Sequence, residues 1–297
     1  MSRLIGLAHD NSRKQTLHMW KLFATVYPSE LAEIEKYRAM KIEGLKLSMR
    51  DYLGLTESNS LSWRVVLTLA TSYARIPEIV GISEIKNLCA LDIATPADPD
   101  ALLEYPDVQV TALTDRIVRA WSELVQTAEA FQHLRVLILR HQRELSKVAL
   151  HYLREFPSLQ SVITFDCPGI ECAVSGGQVD GWTVTEGKRT APVTLARFYE
   201  ASCNVSGGEL SMSAETPVLD LQVGQMKKAR GPASAPYSAI YLDRSELTGG
   251  AGVDIEPSTR KRKGEAPGPR ARKGKPVMKG RAKDIGDVLS SFSSGLS

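Results

Sequence analysis

The stretch LRVLILRHQRELSKVALHYLREFPSLQSVITFDC, residues 134–167, writes one apolar signature twice with an amphipathic segment between. Leu134, Leu137 and Leu139 open it, and Leu159, Val162 and Phe165 repeat the opening in weaker form. The intervening LSKVALHYLREF puts Leu145, Val148, Ala149, Tyr152, Leu153 and Phe156 on one side of a 3.6-residue period. That pattern predicts strand, helix, strand, since alternation marks a strand and an i, i+3, i+4, i+7 stripe marks a helix.

Working outward, the same signature occurs twice more upstream. LCALDI carries Leu88, Leu91 and Ile93, and IEGLKLS carries Ile42, Leu45 and Leu47. The four copies start 46, 46 and 25 residues apart. Helices are expected between them. SLSWRVVLTLATSY aligns Leu61, Val65, Leu69 and Tyr73, and TDRIVRAWSELV aligns Ile117, Val118, Trp121, Leu124 and Val125 with Thr114 as its cap. Each strand–helix unit is too small to hide its own apolar face. Stacking such units buries a shared core, with parallel strands on one side and helices on the other. Leu45, Leu91, Leu137 and Val162 should then be neighbours across one sheet.

The 134–167 stretch, with its P-x-L entry into the second strand, resembles the leucine-rich repeat family in its ribonuclease-inhibitor-like, cysteine-containing variety. LTDRIVRAW is similar to that family's strand-to-helix turn. His141 and Gln142 stand after Leu139, where the family places Asn or Cys. The resemblance covers about residues 40–167. It implies an α/β fold: a short, irregular leucine-rich-repeat-like solenoid. It also implies a non-enzymatic scaffold or adaptor that binds a protein partner, a role such repeats play in substrate receptors of ubiquitin ligases. The outward strand positions Lys46, Ser48, Asp92 and Arg140 are the expected partner-binding residues, with Ile138 and Ala94 beside them.

The flanks complete the expected organisation. Residues 1–40 read as a helical cap, with helices at about 13–26 and 29–40 separated at Tyr27–Pro28. Residues 41–167 hold the repeats, and 168–245 form an irregular, strand-rich extension containing DGWTVTEG, PVLDLQVG and SAIYLDRS. Residues 246–297 change character. From Thr248 to Asp284 there are seven glycines, four prolines and no aromatic residue, a composition that predicts disorder. Near the end, Ile285, Val288, Leu289 and Phe292 share one face of a short docking helix at 283–293.

Charge divides the same way. Residues 256–297 hold 11 bases and 4 acids, +7, while 1–255 hold 26 bases and 30 acids, −4. The basic patch is Arg260, Lys261, Arg262, Lys263, then Arg270, Arg272, Lys273, Lys275. Such bipartite clusters suit an import receptor, so a nuclear location is expected, cytoplasmic otherwise. The same cluster supports an alternative, a nucleic-acid-associated factor in ribosome assembly or chromatin. Its contacts would be nonspecific and salt-dependent, because no aromatic is interleaved for base stacking.

Apolar residues make up 43% of the chain, enough for a sizeable core. No apolar run approaches the roughly 20 residues of a membrane span, and the N-terminal apolar run is too short to predict a secretory signal. Cys89, Cys167, Cys172 and Cys203 form no CxxC pair, and His9, His18, His133, His141 and His151 are scattered. Neither a metal site nor a cofactor is expected. Phosphate-loop, dinucleotide, nucleophile-elbow and zincin motifs do not occur.

Overall fold

The computed structural model describes residues 16–43, 47–58, 60–96, 110–175, 179–187, 194–205, 216–224 and 239–245. These build a mixed α/β fold around one open sheet. The strands are β1 (Tyr37–Ile42), β2 (Arg64–Ala70), β3 (Leu88–Ala94), β4 (Val136–Arg140), β5 (Ser161–Phe165), β6 (Trp182–Gly187), β7 (Val218–Val223) and β8 (Ala239–Arg244). The helices are α1 (Leu17–Val26), α2 (Pro28–Ile34), α3 (Met49–Gly54), α4 (Ile76–Gly81), α5 (Asp115–Ala128), α6 (Lys147–Leu153), α7 (Pro168–Ser175) and α8 (Leu195–Val205). The sheet order is β1-β7-β2-β3-β4-β5-β8-β6. The first six of these strands run parallel, and β8 is antiparallel to both β5 and β6.

One apolar rung crosses the whole sheet. Met40, Leu221, Leu67, Leu91, Leu137, Val162, Leu242 and Val184 are successive register partners. Leu91, Leu137 and Val162 are therefore side by side, as their matching positions in the signature require. Leu45 lies outside the described residues. Because strand side chains alternate, this rung and its i±2 neighbours face one layer of helices. Trp20, Leu31, Tyr52, Ile79, Trp121, Leu150 and Ile170, from α1 through α7, close that core.

Local chemistry sets the helix positions. Thr114 caps α5 by accepting from Ile117 N, and Ser146 caps α6 by accepting from Val148 N. Asp115 ties the two starts together, taking Ser146 N at 2.9 Å on Oδ1 and Ser146 Oγ at 2.6 Å on Oδ2. Trp121 Nε1 donates to Ile79 O at 3.1 Å and so pins α5 to α4. α7 sits so close to the start of α6 that a Cβ at Gly169 would collide with the Leu145 carbonyl.

Five sequence expectations change. Leu47 and Ser48 of IEGLKLS, expected on a strand, follow the end of β1 at Ile42; Leu47 is exposed and Ser48 caps α3. Arg64–Ala70, expected within a helix, is strand β2. Val65, Leu67 and Leu69 enter the main core while Val66 enters the opposite one. A strand buried on both faces loses its alternation and imitates a helical stripe. The second N-terminal helix stops at Ile34, and Tyr37–Ile42 joins the sheet as β1. Within 168–245, Pro168–Ser175 and Leu195–Val205 are helices, and β7 inserts between β1 and β2. Finally, the second sheet face is not open. Leu195 and Tyr199 of α8 share a buried cluster with Val66, Ala90, Val136, Ile138, Ile163 and Val218. Ile138, expected to point outward, is 0% exposed.

Residues 246–297, including the basic patch and the 283–293 segment, lie outside the described residues. All four cysteines are free thiols. Among the described residues no helix is long and apolar enough to cross a membrane.

Candidate functional site at the carboxyl edge

In open α/β sheets ligands gather where the parallel strands end at their carboxyl side. Here the register fixes which residues meet there. Ala70, Ala94, Arg140 and Phe165 pair in sequence across β2, β3, β4 and β5. The next residue on each strand therefore forms a polar row: Thr71, Thr95, His141 and Asp166. Backbone bonds continue the ladder, with Thr95 N donating to Arg140 O at 3.0 Å and His141 N donating to Phe165 O at 2.8 Å. His141 and Asp166 both take left-handed backbone angles, φ 57° and 52°. That conformation is uncommon outside glycine and turns both side chains out of the strand path.

Their side chains then meet. His141 Nδ1 and Asp166 Oδ2 are 2.9 Å apart. On the β2–β3 side, Thr71 Oγ1 donates to Thr95 Oγ1, and Thr95 Oγ1 donates to Gln142 Oε1, each at 3.1 Å. Gln142 is fully buried and uses both ends of its amide. Its oxygen also accepts from Leu113 N at 3.2 Å, and its nitrogen donates to Ile93 O at 3.2 Å and Arg140 O at 2.9 Å. One amide thus ties β3, β4 and the approach to α5.

One step inside this row lies an ion pair. Asp92 is 4% exposed, and Arg140 Nε sits 3.0 and 2.9 Å from its two carboxylate oxygens. The guanidinium also lies over the Phe165 ring at 4.5 Å. Burial pushes the Asp92 carboxyl up to about 6 against the opposing pull of Arg140.

Cys167 follows Asp166. Its thiol bonds to the carbonyls of Leu139 at 3.6 Å and Phe165 at 3.5 Å, and burial pushes it up to about 11. A buried neutral thiol of this kind packs and does not attack.

Of the expected partner-binding residues, the fold brings Asp92 and Arg140 together and keeps Ser48 apart. Ser48 caps α3 through a reciprocal pairing with Asp51. Lys46 lies outside the described residues, as do Arg260 to Lys275 and Ile285, Val288, Leu289 and Phe292. Thr71, Thr95, Gln142 and Asp166 were not singled out by motif. Gln142 and Asp166 carry a faint signal, since they lie three positions and one position past a copy of the strand signature. No protein-family model and no curated protein sequence matches this chain.

Proposed function

We propose that this protein is a non-enzymatic interaction scaffold, nuclear in location, in which β3, β4 and β5, the strands that carry the repeated signature, act as a leucine-rich-repeat-like run. The repeated signature on adjacent strands supports the repeat reading; His141 and Gln142 depart from the Asn or Cys of the family's turn, and Gln142 bonds the Ile93 and Arg140 carbonyls there. The observation that carries the scaffold reading is on α1. Met19, Leu22 and Val26 are 39, 52 and 59% exposed at i, i+3 and i+7, one apolar stripe turned to solvent. Such a stripe fits an apolar groove on a protein partner. At the carboxyl edge, in contrast, the polar groups bond to one another and hold strands in register.

The test is co-purification with three chains: wild type, Leu22→Glu with Val26→Glu, and a chain lacking residues 256–297. A partner lost only from the double variant supports docking through α1. Identical recovery by all three chains overturns it. For location, alanines at Arg260–Lys263 and Arg270–Lys275 should shift a fluorescent fusion from nucleus to cytoplasm, and unchanged nuclear signal overturns that part.

The +7 charge of residues 256–297 favours a second reading, nonspecific nucleic-acid association through the tail. Filter binding to RNA and DNA at two salt concentrations separates the two. Binding that survives tail removal ends the second reading.

A further inference from the structure

The amino edge of the sheet is built on another plan. Arg135 immediately precedes β4, Gln160 immediately precedes β5, and Arg244 ends the antiparallel β8. Backbone bonds set the three side by side. Arg135 O accepts from Gln160 N at 2.9 Å, and Gln160 O accepts from Arg244 N at 2.8 Å. A cavity of about 250 Å³ opens on this row, walled also by Pro157, Ser158 and Leu159.

Arg244 is occupied. Its Nη1 donates to Phe156 O at 2.8 Å and its Nη2 to Arg154 O at 3.0 Å, which satisfies carbonyls left at the end of α6. Arg135 is not. It is 7% exposed, makes no side-chain hydrogen bond or ion pair among the described residues, and its Nη1 is buried without a partner. Nη1 of Arg64, the first residue of β2, is buried in the same state. Both guanidiniums lie near His133, whose imidazole is held below its ordinary value by burial first and then by Arg64 and Arg135. Among the described residues, none of Arg64, Arg135 and Arg244 has a carboxylate in ion-pair range. A buried positive charge without a counter-charge is strongly disfavoured, and a protein that keeps one is poised for an anion.

We propose that the amino-edge cavity binds a phosphate-class oxyanion, free or carried on a phosphorylated side chain, with Arg135 as its anchor. The planar guanidinium offers paired donors matched to two oxygens of such a group. Arg244, which also lines the cavity, adds fixed positive charge beside it without needing to touch the anion.

The experiment is thermal denaturation of the full chain in inorganic phosphate, titrated against chloride at constant ionic strength. It compares wild type, Arg135→Met and Arg135→Lys. Every chain carries the same basic tail, so tail binding contributes equally. Wild type should show a saturable rise in Tm of about 2–4 °C. Arg135→Met should bind phosphate at least about ten-fold more weakly, and Arg135→Lys should keep part of the response. In chloride alone Arg135→Met should melt no lower than wild type, because it removes an unpartnered charge. No response in wild type, an equal response in Arg135→Met, or a Met variant that melts lower in chloride would each overturn the proposal. A phosphoserine peptide is the second ligand. Tighter binding than inorganic phosphate assigns the side-chain source, weaker binding the free anion, and both support the site.

Discussion

The two edges of the same sheet handle buried charge in opposite ways. At the carboxyl edge Arg140 is paired with Asp92, and Gln142 spends both ends of its amide on partners from neighbouring elements. At the amino edge Arg64 and Arg135 each bury an Nη1 with no partner. The strands, rungs and helix layer are common to both edges, so the difference is not one of fold. It teaches that burial alone does not mark function. A satisfied buried polar group is part of the frame, while an unsatisfied one is a demand that something else must meet.

The largest expected effect comes from breaking the satisfied pair. Arg140→Leu leaves Asp92 inside without its counter-charge, and loss of one partner from a buried pair costs about 3 kcal/mol at neutral pH. Urea denaturation at pH 7 measures it. A loss under about 0.5 kcal/mol, the scale of a surface substitution, would show that the carboxyl edge is not the frame. Gln142→Ala should rank next. It leaves Leu113 N and the Ile93 carbonyl without side-chain partners in a buried site, at a cost of about 2 kcal/mol.

These partnerships show which parts of the molecule the sequence makes legible. Strands β3, β4 and β5 were readable because each repeats one short apolar spacing, and α5 and α6 because each is apolar on one side only. β2 reads as a helix in the sequence because burial on both faces removes the polar half of its alternation. β1 was absorbed into the preceding helix because Glu35 and Lys36 give no stop signal. α8 held a signal in Leu195 and Tyr199, one helical turn apart, but its face is apolar only against a second side of the sheet that the repeat pattern treats as open. The site partners were hidden by distance along the chain. Asp92 and Arg140 are 48 residues apart, Thr95 and Gln142 are 47 apart, and His141 and Asp166 are 25 apart. Period reading places such residues on a face. Only the register says which of them touch.

A third prediction uses pH to test how deeply the satisfied pair is buried. The Asp92 carboxyl lies near 6 in the folded chain, above its ordinary 3.8. The folded state therefore holds this proton over a range in which the unfolded state has released it. Its contribution to stability is full below about pH 4 and is lost as pH rises through about 6, by on the order of 2 kcal/mol. Other carboxylates titrate over the same range, so the informative quantity is the difference between wild type and Asp92→Asn from pH 4 to 7. The substitution should remove a falling component from the wild-type curve. Parallel curves would mean that Asp92 is better solvated or more strongly held by Arg140 than its burial implies.

The smallest effect carries the opposite sign and divides the two edges most sharply. Arg135→Met keeps a long unbranched side chain in place and deletes a charge that has no partner. In chloride, without a bound anion, it should stabilise the fold by about 1 kcal/mol, since a packed apolar group is tolerated inside where a lone guanidinium is not. An arginine replaced by an apolar residue would then destabilise at one edge and stabilise at the other, within one sheet, at the residue just before β4 and at its last residue. If Arg135→Met instead costs as much as Arg140→Leu, Arg135 has a structural partner after all and the two edges are built alike. Measuring both variants in one buffer keeps the comparison internal, because sheet, core and tail are identical and only the pairing of the charge differs.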